Sequence, residues 1–352
     1  MTKLPNTRFA VLPPRLAVPS QAELEARFRA FFIKMRSNRY SGHRLIKLGY
    51  DQERKIKFLA EQAWVRRMRE AGISTIKKAE LPALDALARE GARLVGPSTE
   101  DEVYRFAAAL HAESGWMREV STWIMNEMLR HLAAGGRGFA MPPVILAGPP
   151  GIGKSHFART IARILGSPVR MIDVGGGSAG FRISGTEKGW GSEQPGIPVE
   201  TILATHVANP IMVVDEVDKA GTLYGIKGGS TSITTSLLQM LEPGTARSFE
   251  CPFYRVPFDM SRVVWIMTAN DANTIPAPLR DRSRLFVLPK LTAADAAAHF
   301  DRLIDGDQTQ VSDLARCRDF IMKLADRPEG ISLRRITQLA NAARAPMPRM
   351  LH

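Results

Sequence analysis

The segment Gly148-Pro149-Pro150-Gly151-Ile152-Gly153-Lys154-Ser155 constrains this chain more than any other. Before it lies the apolar run Pro143–Ala147, which predicts a buried strand, and after it Ser155–Leu165 has the spacing of a helix. A glycine-rich turn between strand and helix lets successive backbone N–H groups converge on one point. That point sits at a helix N-terminus, where unpaired donors and the helix dipole favour negative charge. The pattern G-x-x-x-x-G-K-[ST] adds a cation and a hydroxyl, so Lys154 is placed to reach β- and γ-phosphate oxygens and Ser155 to ligate Mg2+.

Strands and helices alternate beyond this loop. Val169–Val174, Ile211–Val214, Val263–Met267 and Leu285–Leu288 read as strands, and Pro198–Ala208 as a helix. The all-apolar content of 211–214 suits a parallel strand covered on both faces, so the expected fold is α/β, a parallel sheet flanked by helices. From Thr292 the pattern turns helical again, over 294–305, 311–325 and 332–344, as a small helical lid. Upstream, 1–20 is a Pro-rich lead-in, and Gln21 to Arg93 reads as helical, with Leu24, Phe28, Phe31, Phe32 and Met35 at three- and four-residue steps. Interleaved with basic residues, Phe28, Phe31, Phe32, Tyr40, Tyr50, Phe58 and Trp64 would suit stacking on single strands, but the helical periodicity predicts that most of them are core residues instead. Gly96-Pro97-Ser98 breaks the pattern, with Ser98 or Thr99 as N-cap of the next helix, and further helices fit Val103–Ala112 and Trp116–Ala134. The expected units are residues 1–97, 98–290 and 291–352.

Charge is uneven. The net charge is +13, from 48 Lys+Arg and 35 Asp+Glu. Residues 1–140 hold 24 basic and 15 acidic residues (+9), leaving 24 and 20 (+4) for 141–352. Within 29–69 the count is 12 against 3, an excess that suits either a well-solvated helical surface or an anionic partner such as nucleic acid. The 45% hydrophobic content permits a sizeable core, yet no run of about 18 apolar residues suggests a membrane span, and no signal-peptide pattern opens the chain. Two cysteines cannot build a disulfide framework or, by themselves, a zinc site, which fits a reducing, cytoplasmic setting.

Asp215-Glu216 follows the 211–214 strand at its carboxyl end, where open α/β sheets bind ligands. Asp215 is placed to hold Mg2+ and Glu216 to polarise an attacking water. Asn270 closes Trp265-Ile266-Met267-Thr268-Ala269-Asn270 at a second strand tip, where an amide can position water or sense phosphate loss.

Taken together, Gly148–Ser155 and Asp215-Glu216-Val217-Asp218-Lys219 resemble AAA+ ATPases, and the wording is closer still to the ATPase module of Lon protease. Its D-E-I-D-K, E-V-P-F-D-L-S and T-A-N…T-I-P-x-P-L-L-D-R stretches are similar to residues 215–219, 255–261 and 268–282. The resemblance, running from about Trp116 to Arg335, implies an AAA+ P-loop fold, ATP with Mg2+ as ligands, and ATP hydrolysis coupled to a protein client. It implies sensor-1 for Asn270 and the arginine finger for Arg282, with Arg280 second; a finger acting in trans implies a ring, commonly a homo-hexamer. It implies sensor-2 for Arg334, then Arg335. Trp116 would lie at the adenine pocket or serve as a core residue. Trp190, in Thr186-Glu187-Lys188-Gly189-Trp190-Gly191, falls near Lon's aromatic pore loop; it would grip a threaded polymer or pack against its own subunit. Gly221–Ser232 reads as a second mobile pore loop or a plain insertion.

Two parts of Lon have no counterpart in this sequence, its Ser–Lys peptidase segment and its large N-domain, so intrinsic proteolysis is not expected. The leading functional expectation is an ATP-driven machine that remodels or unfolds protein. The alternative is a nucleic-acid-associated ATPase whose residues 29–69 bind phosphate backbones.

Overall fold

A computed structural model describes residues 8–37, 48–174, 179–187, 193–221, 233–305 and 311–344. The chain enters with β1 (Arg8–Phe9), α1 (Gln21–Ser37), α2 (Tyr50–Glu70), α3 (Leu81–Glu90) and β2 (Ala92–Arg93). Two helices follow, α4 (Glu100–Glu113) and α5 (Arg118–Ala133), then β3 (Val144–Ala147), α6 (Lys154–Leu165), β4 (Val169–Asp173), α7 (Ala179–Ser184), α8 (Ile197–Thr205) and β5 (Ile211–Asp215). Next come α9 (Ile233–Leu241), α10 (Pro243–Ala246), β6 (Phe249–Cys251), β7 (Val256–Phe258), β8 (Val264–Ala269), α11 (Ala277–Asp281) and β9 (Arg284–Val287). The last elements are α12 (Ala293–Ile304), α13 (Val311–Ala325) and α14 (Leu333–Arg344).

Five parallel strands form the central sheet in the order β4-β5-β8-β3-β9. Side chains alternate across it with a period of two. Val144, Leu146, Ile211, Val213, Val264 and Ile266 join one buried cluster, with α4, α5, α6 and the α12–α14 lid. Ile145, Ala147, Met212, Val214, Trp265 and Met267 join the other. That second face is covered partly by the N-terminal region: Val11, Leu12, Leu16, Leu84 and Leu87 are buried in the same cluster.

Backbone bonds fasten this region to the sheet. Arg93 N donates to His206 O (2.8 Å), Ala208 N to Arg93 O (2.9 Å), and Asp259 N to Val11 O (2.7 Å). Asn209, only 1% exposed, is a side-chain clamp: its Oδ1 accepts from Val95 N (2.9 Å) and its Nδ2 donates to Val95 O (2.8 Å) and Phe139 O (2.9 Å).

The α1–α2 pair departs from expectation. On α1 only Leu24 is buried, and on α2 only Ile56, Ala60 and Met68. Phe31 (57% exposed), Phe58 (60%) and Tyr50 (82%) face solvent rather than a core. A helix pair has one contact stripe, and residues a third of a turn away from it find nothing to pack on. Tyr40 lies outside the described residues. Four short strands, β1, β2, β6 and β7, were not expected. At two or three residues each they are too short for a period-two signal. Thr99 is the N-cap of α4, in a reciprocal capping box with Glu102.

Candidate nucleotide site

The loop between β3 and α6 turns on glycines that no other residue replaces without strain. Gly151 (φ +80°) and Gly153 (φ +94°) lie in the left-handed region. A Cβ on Gly151 would stand 2.4 Å from Ser332 Cβ, and one on Gly153 2.4 Å from Leu333 Cδ1. The closeness arises because the N-terminus of α14 is docked on the loop, with Leu333 N donating to Gly151 O at 2.8 Å. Around it Gly148, Pro149, Pro150 and Ile152 complete the turn.

Lys154 opens α6 and is only 7% exposed. Its Nζ donates to Gly148 O (2.7 Å), Pro149 O (3.0 Å) and Asn270 Oδ1 (3.1 Å). Burial pulls its ammonium below the usual lysine range, while the carboxylates of Asp215, Asp218 and Glu216 pull it back up. Ser155 Oγ lies 3.1 and 3.3 Å from the two Asp215 carboxylate oxygens. A hydroxyl and a carboxylate converging in this way are hard oxygen donors of the kind Mg2+ takes.

Strand pairing supplies the rest. Because β5 and β8 are adjacent, Thr268 Oγ1 reaches Asp215 Oδ1 as donor and accepts from Glu216 N (3.2 Å). Glu216 itself sits at φ +61°, a left-handed conformation that side chains rarely adopt. Its Oε2 lies 2.5 Å from Lys219 Nζ, and Asn270 Nδ2 donates to its Oε1 at 3.4 Å. Asp218 Oδ2 accepts from the backbone N–H groups of Asn270 (3.1 Å) and Asp271 (3.4 Å), holding the tip of β8 in place. Lys154, Ser155, Asp215, Glu216 and Asn270 thus converge in one hydrogen-bonded cluster at the carboxyl ends of β3, β5 and β8. Sequence reasoning assigned no role to Thr268, Asp218 or Lys219. Thr268 and Asp218 act across the β5–β8 pairing, whereas Lys219 meets Glu216 three residues away, and all three lie inside the motifs named above.

Trp116 lies between loop and lid, 3.5 Å from the Cβ that Gly153 lacks. The His299 ring meets it edge-on (centroids 5.4 Å, 87°), and the Arg302 guanidinium stands 5.5 Å over it. Its buried Nε1 has no hydrogen-bond partner. Burial pushes His299 down to about 4, with Arg302 and His156 adding to the effect. Arg302 also bonds His299 Nδ1 (3.1 Å) and the carbonyl of Ala112 near the end of α4.

Arg334 and Arg335 are both exposed on α14. Arg335 lines a cavity of about 560 Å3 with Pro149, Pro150, Ile152, Lys290 and Arg327, and Arg334 is not among its lining residues. Arg282, just past α11, pairs with Glu242 (Nε–Oε2 3.3 Å) rather than with its neighbour Asp281. Arg280 is exposed on the same short helix. Trp190 and residues 222–232 lie outside the described residues.

The family model described as "ATPase family associated with various cellular activities (AAA)" matches residues 144–290. Lon protease of Desulfovibrio desulfuricans is 36% identical over 156 residues, 44% of this chain and 17% of that protein. The mitochondrial Lon protease homolog of Rattus norvegicus is 36% identical over 157 residues, 45% of this chain and 16% of that protein. The peroxisomal Lon protease homolog 2 of Arabidopsis thaliana is 35% identical over 164 residues, 47% and 18%. The match to these relatives therefore spans less than a fifth of their length. Among solved structures, Saccharomyces cerevisiae Hsp104 in its extended casein complex aligns with a TM-score of 0.52 at 16% identity, over 92% of this chain and 63% of that one.

Proposed function

The chain carries an AAA ATPase-family domain at residues 144–290 on an α/β fold of the AAA+ kind, and on that premise we propose that it hydrolyses ATP to remodel or unfold a protein partner as a homo-hexameric ring. The observation that carries the reading is the convergence of Lys154, Ser155, Asp215, Glu216 and Asn270 at adjoining strand ends. The loop N–H groups and Lys154 bind the triphosphate. Ser155 and Asp215 would hold Mg2+, which when bound neutralises charge on the β- and γ-phosphates. Glu216 orients and polarises the attacking water, and Asn270 contacts the terminal phosphate. Trp116 flanks the base side, and Arg335, facing the loop across the cavity, is better placed than Arg334 to sense nucleotide from the lid. Arg282 serves the neighbouring subunit's site. The similarity to Lon proteases supports protein as the client, gripped by Trp190, and the proposal assigns no peptide-bond chemistry to residues 1–352. A reducing, cytoplasmic setting suits the two free cysteines.

A second reading is favoured by one observation: the exposed Phe31, Tyr50 and Phe58 lie on basic helices, as a single-stranded nucleic acid platform requires. One experiment separates the two. ATP turnover of the full chain is measured alone, with unfolded protein, and with single-stranded or duplex DNA, using Glu216→Gln as blank. Stimulation by unfolded protein that is lost in Trp190→Ala supports threading. Stimulation by DNA that fades steeply with salt puts the nucleic-acid reading first. No turnover above the blank sinks both.

A further inference from the structure

The side chains that must meet nucleotide and water, Lys154, Ser155, Asp215, Glu216 and Asn270, are engaged in hydrogen bonds. An ammonium has three protons, and those of Lys154 have three acceptors, two fixed carbonyls of the loop and the Asn270 side chain. A phosphate oxygen arriving at Lys154 must therefore displace one of them. The carbonyls of Gly148 and Pro149 belong to the loop backbone, so the acceptor able to leave is Asn270 Oδ1. Asn270 is also the residue whose amide faces Glu216 Oε1. When it swings away, the contact among the described residues that still holds the Glu216 carboxylate is the ion pair with Lys219, at 2.5 Å on Oε2.

Lys219 sits in the short turn Val217–Gly221, one turn after Glu216, so the pair is local and forms without any partner subunit. The mutual attraction raises the Lys219 ammonium above its usual range, chiefly through its bond to Glu216, with Asp218 and Asp173 adding smaller contributions. The left-handed backbone at Glu216 directs its carboxylate toward this cation and the Asn270 amide together.

We propose that Lys219 is a positioning residue that acts as a brake: it occupies Glu216 Oε2 and still keeps the carboxylate turned from the attacking water once the terminal phosphate has displaced Asn270 from Lys154. The inference rests on the ATP-hydrolase reading. It gives this chain a residue that lowers idle turnover without taking part in nucleotide binding.

The test uses the full chain with three versions of one side chain: wild type, Lys219→Met, which keeps the stem and loses the charge, and Lys219→Arg, which keeps the pair. Lys219 is half exposed, so neither change disturbs the core. Steady-state kcat and KM for ATP are measured together with the dissociation constant of a fluorescent ATP analogue. Exposed ion pairs restrain by factors of about two to five, so kcat should rise about two- to fivefold in Lys219→Met. KM and the dissociation constant should stay at wild-type values, and Lys219→Arg should return kcat to the wild-type level. A residue that merely supported the fold would lower kcat or shift binding, and Arg would not restore it. Unchanged or reduced kcat in Lys219→Met, with wild type turning over, overturns the brake alone. Nucleotide binding with no turnover in any of the three overturns the hydrolase reading and the brake with it.

Discussion

Lys154 shows what a single side chain contributes here. It is the buried cation of the site, its three bonds preform the cradle, and nearby carboxylates offset part of the cost of burying its charge. Lys154→Ala should abolish ATP binding in a calorimetric titration while leaving the fold intact, and retained tight binding would remove Lys154 from the phosphate site. His299 gives a pH signature. Its folded value of about 4 lies below the ordinary histidine value of 6.5, so between those values the unfolded chain binds more protons than the folded one. Stability is therefore full above about pH 6.5 and falls as pH drops toward about 4, by up to about 3 kcal/mol. Thermal melting of wild type and His299→Gln across that window checks the sign: the acid loss should shrink in the variant, and equal losses would place the titration elsewhere. Of these residues, Lys154 was legible as a motif. His299 was not, because part of its burial comes from Trp116, which lies far from it in the chain and packs against it across the lid seam.

Elements owe their placement to a few buried polar clamps. Asn209 ties the segment after β2 to the strand that starts the nucleotide loop, through Val95 and Phe139. Asn209→Ala would leave buried backbone groups unpartnered, at about 1–3 kcal/mol for each group orphaned. Denaturant melts should show a midpoint shift corresponding to at least about 2 kcal/mol, and a shift under about 0.5 kcal/mol would show that water replaces the amide. The sheet strands and the helices α1–α6, α8 and α12–α14 were legible because each carries a period or an apolar run long enough to read, whereas α7, α9, α10 and α11 were not predicted. What the α1 periodicity could not reveal is whether a second surface covers it. The helix forms as expected from Gln21, yet Phe31 and Met35 stay exposed: among the described residues α1 packs chiefly on α2, and these two side chains lie off that contact.

At the scale of the whole molecule, the Arg282–Glu242 pair is the feature that the proposed ring would undo. In a single subunit Arg282 is satisfied by Glu242, and as a finger acting in trans it would exchange that exposed pair, of little energetic worth, for a neighbour's phosphate. Mixing Arg282→Ala with Lys154→Ala subunits should therefore recover ATPase activity that neither shows alone, since some interfaces then join an intact loop to an intact finger. No recovery in mixed rings whose assembly is verified by mass measurement would sink that assignment. No helix among the described residues is long and apolar enough to cross a membrane.

By itself the sequence determined the phosphate loop, the acidic strand end, the amide at a second strand tip and the parallel α/β class, because each rests on neighbours in the chain or on a local period. Tertiary structure decided the strand order β4-β5-β8-β3-β9, and with it that Thr268 meets Asp215 and Asn270 bridges Lys154 to Glu216. It also decided that Val11, Leu16 and Leu87 share a core with the sheet while Phe31 and Phe58 do not. Local patterns specify which face of an element is apolar; which surface meets that face is set only when all the elements compete for the same buried area.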